Sequence, residues 1–335
     1  MTRRVRTRTF GLVVALALMS SPTHAYLKLG TSFGPDAISL KWRTGTITYF
    51  VSTTGPSSVP SAEFEAAVAR GFAAWNDVET ATVDFQFGGF VGNSPFDEDD
   101  VNTIGFADRP DLDRVLASTA FSYDTRTGEI LESDIFFNSS VDWTASQTGQ
   151  SGLFDLEAIA THEAGHFLGL GHSALGETER TQSGNRRLIA SGSVMFPIAF
   201  GPGNISGRSL RADDIAGVSD IYPDTEFRRV TGSIHGRITR SGQGVFGAHV
   251  VAFNLRTQEL VGNFTLEDDG AFVIAGLSPG LHVVRVEPLD DGDLESFFDG
   301  VEPDDMDFRP RFYDGVVVVP ESGTSERVDI AVETR

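Results

Sequence analysis

His162-Glu163-Ala164-Gly165-His166-Phe167-Leu168-Gly169-Leu170-Gly171-His172 is the most specific stretch of the chain, and it holds three of the seven histidines among 335 residues. On a helix, His162 and His166 stand four residues apart, so their imidazoles share one face about 6 Å apart along the axis. Two neutral imidazole nitrogens at that spacing suit one zinc ion. Glu163 follows the first ligand, so its carboxylate projects beside the metal, where it can take a proton from water. Gly169 can end the helix with φ > 0 and turn the chain, bringing His172 back as the third ligand. Three protein ligands leave a fourth position open, the mark of a catalytic site rather than a structural one. The expected metal ligands are therefore His162, His166 and His172, with Glu163 as the catalytic base.

The run fits the pattern H-E-x-x-H-x-x-G-x-x-H and resembles the metzincin metalloproteases. Downstream, Ser193-Val194-Met195-Phe196-Pro197 resembles their methionine turn. Ser173 after the third histidine, and Pro197 two residues after Met195, narrow the resemblance to the matrixins, the matrix-metalloprotease branch. The resemblance covers about residues 38 to 223. It implies a zinc-dependent endopeptidase acting on peptide or protein substrates, with Met195 as a hydrophobic floor under the imidazoles and not a ligand.

Patterning on either side of the run is that of a mixed α+β unit. Strands are expected over 42–51, 82–87, 101–106 and 130–138. A helix capped at Ser61 and running to Trp75 has Phe64, Val68, Phe72 and Trp75 at helical spacing. Residues 116–123 occupy the place of the family's edge strand, which implies a cleft-lining strand that pairs with an extended peptide. Residues 210–222 resemble the closing matrixin helix, and the fold class implied is a twisted mixed sheet with a zinc helix. Residues 197–200 are expected to wall the primed-side pocket, beside an exposed loop over 173–192.

The chain departs from the animal enzymes in having no cysteine, so a thiolate switch cannot silence it. The stretch before Trp42 is also too short for a folded prodomain. No histidine between 102 and 142 stands ready for a second zinc; the acids there suit calcium better. Asp97-Glu98-Asp99-Asp100 reads as a solvated acidic turn, with a structural calcium site as the alternative.

Arg3, Arg4, Arg6 and Arg8 precede an apolar run from Phe10 to Met19 and then Ser20-Ser21-Pro22-Thr23-His24-Ala25. This is the form of a secretory signal peptide, residues 1–25, cleaved after Ala25. The run is too short to span a bilayer, and no later stretch approaches the required ~20 apolar residues. Secretion follows, to the exterior or a periplasm. A net charge of −21 argues against nucleic acid as a partner.

After the catalytic unit, residues 26–225, the pattern changes to short strands with glycine turns. Strands are expected at 234–238, 248–253, 262–266, 271–274, 281–286, 316–319 and 327–332, with Asp268-Asp269-Gly270 and Ser278-Pro279-Gly280 as turns. Seven strands over residues 229–335 describe an all-β sandwich, and 232–238 with 270–280 resembles the carboxypeptidase-regulatory-like, transthyretin-type module. His235, His249 and His282 read as sheet residues. Residues 288–311 read as a long acidic surface loop. The alternative to a secreted endopeptidase is a catalytically idle adhesion protein, in which this second unit binds a surface or matrix ligand.

Overall fold

Alternation of apolar side chains builds the first sheet, and the computed structural model describes it almost entirely. Described are residues 27–30, 37–43, 46–56, 58–109, 112, 115–182, 184–292, 296–298 and 307–335; the expected signal peptide lies outside them. Strands β1 (Thr46–Ser52), β2 (Asp84–Val91), β3 (Thr103–Ala107), β4 (Ala117–Tyr123) and β5 (Ile130–Asn138) form one sheet in the order β2-β1-β3-β5-β4. Neighbours pair in parallel except β4, which runs antiparallel along β5 and forms an edge. β5 is buried on both faces for most of its length, as an interior strand of such a sheet must be. β4 is only half-buried, so this edge is accessible.

Helix α1 (Ser61–Asn76) lays Phe64, Val68, Phe72 and Trp75 on the sheet. Ser61 does not cap it: Pro60 holds that position, and the Ser61 hydroxyl donates to the Thr53 carbonyl at 3.3 Å. The first strand starts at Thr46 and not at Trp42, because Trp42 is drawn away to the second helix, where it stacks on Phe167. That helix, α2 (Leu156–Phe167), follows a short parallel pair, β6 (Trp143–Thr144) and β7 (Phe154–Asp155). It crosses α1 closely. Trp75 Nε1 donates to Thr161 O at 2.9 Å, and a Cβ on Gly71 would stand 2.9 Å from Thr161 N.

Residues 173–192, expected as a loop, contain an antiparallel hairpin, β8 (Gly176–Arg180) with β9 (Arg186–Ser191). Burial of Leu175 and Leu188 anchors it; the arginines that suggested a loop lie in its strands, on a largely exposed surface. Helices α3 (Ala212–Ile221) and α4 (Phe227–Val230) lead out of this unit. Among the described residues no helix is long and apolar enough to cross a membrane.

The C-terminal strands are β10 (Gly232–Arg240), β11 (Gln243–Gly244), β12 (His249–Asn254), β13 (Leu260–Phe264), β14 (Ala271–Leu277), β15 (Gly280–Glu287), β16 (Arg311–Phe312), β17 (Val317–Val319), β18 (Gly323–Thr324) and β19 (Val328–Val332). One sheet centres on β10, flanked by β11, β14, β18 and β19; the other orders β13-β12-β15-β16, with β17 also on β15. Ile234, Ile274 and Ile330 from the first meet Val250, Val261 and Val284 from the second in one shared core. Ala216 of α3 belongs to that core too, so the two parts of the chain are packed together.

The tight α1–α2 crossing gives a stability prediction. Alanine is the better helix former by about 1 kcal/mol, yet Gly71→Ala is expected to lower the unfolding free energy by about 1–3 kcal/mol, because its methyl meets backbone. Urea denaturation of the two proteins measures the sign.

Candidate metal centre

The position of α2 is set at both ends. Asp155 caps its start, accepting from Ala158 N at 2.8 Å, and Arg208 Nε holds the same carboxylate at 2.9 Å. At its end Gly169 adopts φ +93°, facing the Leu40 carbonyl where a side chain would collide. The carbonyls freed there are satisfied by Trp42 Nε1 on Phe167 O at 2.8 Å and Tyr222 Oη on Leu168 O at 2.9 Å, as a buried helix end requires. Residues 27–29 then run along the turn: Leu29 N donates to Gly169 O at 2.8 Å and Gly171 N to Leu27 O at 2.6 Å. Nothing in the sequence pattern had assigned that segment a place.

The turn brings the three histidines together. His166 Nε2 lies 3.1 Å from His162 Nε2 and 3.2 Å from His172 Nε2. Each Nδ1 faces a backbone carbonyl: His162 that of Val194 at 2.7 Å, His166 that of Leu170 at 2.8 Å, His172 that of Ser296 at 2.7 Å. A carbonyl can only accept, so each Nδ1 carries the proton and each Nε2 presents a lone pair. Burial keeps the rings neutral. It pushes His162 down to about 4, with repulsion from His172 adding, and lowers His166 and His172 as well. Three neutral nitrogen acceptors converging without a donor between them are the donor set of a zinc ion with an open position.

Glu163 is buried beside them. Its Oε2 accepts from the Thr119 hydroxyl at 2.7 Å, and burial raises its carboxyl to about 7 while that hydrogen bond holds it down. Thr119 belongs to β4, so the accessible sheet edge and the carboxylate meet at one residue. Sequence reasoning placed the strand at the cleft but missed Thr119, since one threonine among alternating residues carries no distinguishing pattern.

Met195 is buried in the same core as Trp75 and Ala164. The turn that carries it is pinned by Asp214 of α3, whose carboxylate accepts from Ser193 Oγ at 2.5 Å, Val194 N at 2.9 Å and Met195 N at 3.2 Å. Since the carbonyl of Val194 receives the His162 Nδ1–H, α3 orients the first histidine through this turn. Among the described residues no other group of histidine and acidic side chains converges in this way. His249 pairs instead with Glu287 at 3.1 Å, and His282 lies buried in β15. Around the 97–100 turn, Asp134 accepts from Phe96 N and Thr103 N at 2.6 and 2.7 Å, and Glu132 from Asp99 N at 3.1 Å.

The family model described as "Matrixin" matches residues 41–223. The chain belongs to the matrixin family. It is similar to "Metalloendoproteinase 1-MMP" of Arabidopsis thaliana, 28% identical over 56% of this chain and 46% of that protein. "Matrilysin" of Rattus norvegicus is 31% identical over 55% of this chain and 59% of its own length. "Stromelysin-1" of Mus musculus is 25% identical over 55% and 33%. The chain thus spans less than two thirds of the length of these relatives. Matrixins use zinc, and the three-imidazole set of this matrixin fits that ion.

Beyond the matched region, the C-terminal part of this matrixin reaches the surroundings of the centre at two places. Asp213, next to Asp214, accepts from Gly262 N of β13 at 2.8 Å and from Ser173 Oγ at 2.7 Å. Burial, then the neighbouring Asp214, raise its carboxyl to about 7. The second place corrects an expectation: residues 288–311 are not simply a surface loop. Phe297 and Phe298 are 5% and 1% exposed, and the carbonyl of Ser296 meets His172. Apolar side chains in an acidic run look like a solvated tether until the hydrophobic pocket that receives them is known.

A folded-state carboxyl raised from 3.8 to about 7 binds a proton that the unfolded chain has lost. Stability from this group is complete below about pH 4 and falls as pH rises toward 7. Asp213→Asn should therefore flatten the decline of unfolding free energy between pH 4 and 7 by about one proton's slope. Denaturation curves across that range check it; an unchanged slope would mean that Asp213 is ionised throughout.

Proposed function

We propose that this matrixin is a secreted zinc endopeptidase, with His162, His166 and His172 holding the metal and Glu163 acting as the general base. One observation carries the reading: three Nε2 lone pairs converge, that of His166 lying 3.1 and 3.2 Å from the other two, beside the buried carboxylate of Glu163. When bound there, zinc supplies Lewis-acid polarisation of a carbonyl and acidifies water. Glu163 Oε2 takes the proton of the attacking water and returns it to the leaving amine. Burial raises its proton affinity and so offsets the lowering that a neighbouring cation imposes. The Thr119 hydroxyl keeps the carboxylate aimed from the strand side.

A peptide substrate in extended form adds to the outer edge of β4 through its backbone, which makes recognition of the main chain independent of sequence. Residues 197–200 wall the pocket for the side chain beyond the cut bond. The half-buried state of β4, paired only with β5 among the described strands, supports this placement. We read residues 26–225 as the catalytic domain and 229–335 as a β-sandwich of the carboxypeptidase-regulatory-like type, supported by its two sheets around one core. A surface or matrix ligand of that sandwich is part of the proposal, as is the signal peptide of residues 1–25.

Full-length chain from residue 26 is expected to bind one zinc and to cleave a quenched peptide library in a chelator-sensitive way. Glu163→Gln should keep the zinc and lose at least about 10²-fold in kcat; near-normal turnover would remove Glu163 from its role. His172→Ala should lose metal together with activity. Stoichiometric zinc retained in that variant would mean that the third ligand is another residue.

A further inference from the structure

The three histidines differ in where their orientation comes from. His162 and His166 are fixed on α2, and their Nδ1 acceptors, Val194 and Leu170, lie within the same unit. His172 stands beyond the helix, on a stretch without regular structure. Its acceptor is Ser296 O, 124 residues further along the chain. The ligand with the least support from its own backbone is the one held by the C-terminal part.

We propose that the C-terminal unit completes the metal centre, with Ser296–Phe298 positioning His172 through the Ser296 carbonyl. This rests on the zinc reading above. The carbonyl is held in place from both sides. Phe297 and Phe298 enter an apolar cluster with Leu27, Phe264 and Leu266, their rings 5.8 and 5.2 Å from that of Phe264. The Phe297 ring also stands edge-on to the His172 imidazole at 6.3 Å. Before the segment, Asp291 is tied to the β8 hairpin: its carboxylate accepts from Thr178 N, and its carbonyl from the Thr178 hydroxyl, each at 2.9 Å. Phe264 comes from β13, and Leu27 from the segment that runs beneath the ligand turn. The anchor therefore joins three separate parts of the chain around one imidazole.

An acceptor on the far nitrogen of a metal-binding imidazole fixes both its tautomer and its ring plane, and losing such a partner typically weakens metal binding 10–100-fold. Phe297 is thus a positioning residue: its side chain touches no metal, but its packing determines where the preceding carbonyl lies. The same arrangement makes residues 26–225 an incomplete site.

The test uses the full chain from residue 26, with Phe297→Ala, Phe297→Leu and Asp291→Ala. Zinc affinity is read by competition with a chromogenic chelator, and ligand geometry by the visible spectrum of the cobalt(II) form at saturating metal. Phe297→Ala is expected to bind zinc about 10–100-fold more weakly and to show an altered cobalt spectrum. Phe297→Leu, which restores an apolar anchor, should recover most of both. A loss of global stability alone would not change the spectrum of a filled, folded site. Should Phe297→Ala not fold, Asp291→Ala removes the carboxylate half of the tie to Thr178 without opening the core and is expected to act in the same direction. Wild-type affinity and spectrum in a folded variant would overturn the inference and leave the zinc reading standing. A wild-type chain that binds no zinc would instead overturn both.

Discussion

Three nitrogen lone pairs facing one another are the constraint on which this molecule is built. Neutral acceptors repel at such distances, so each ring has to be held by its other nitrogen. The requirement for three acceptor carbonyls, correctly placed, accounts for much of the surrounding architecture. Val194 is supplied by a turn that Asp214 clamps from α3. Leu170 is supplied by the turn that Gly169 permits. Ser296 is supplied from outside the matrixin region altogether.

The helix that carries two of the rings is likewise held by groups outside it, most of them distant in sequence. Asp155 and Arg208 close one end, Trp42 and Tyr222 the other, and Trp75 reaches across from α1 to a carbonyl in the middle. A helix of this length has little stability of its own in water, so its geometry is that of its neighbours. The sheet contributes at one point, Thr119, which joins the accessible edge strand to the carboxylate. Helix α3 serves both halves of the chain: Asp214 faces the methionine turn, while Asp213 and Ala216 face the C-terminal sheets.

The parts legible in the sequence were those whose chemistry requires particular side chains at particular spacing. His162, Glu163, His166, Gly169 and His172 announce themselves, and so do the alternating strands of both halves. What escaped notice acts through the backbone or through context. An acceptor carbonyl such as that of Ser296 leaves no trace in residue identity. Residues 27–29 pair by main chain alone, and Trp42 reads as a strand residue until the helix end that it caps is known. The 176–191 hairpin was hidden by charged side chains that suit an exposed ladder as well as a loop. Phe297 and Phe298 were visible as apolar residues, but their pocket is assembled from Leu27 and Phe264 on opposite sides of the histidine run.

The contact between His172 and Ser296 also has a meaning in time. A chain made from its N-terminus extends the ligand turn more than a hundred residues before the carbonyl that orients it exists. The acceptors of His162 and His166 already exist in that interval, whereas the contact of His172 waits for residues beyond the matrixin region. Formation of that contact is thereby tied to the synthesis of a segment far downstream of the histidine run.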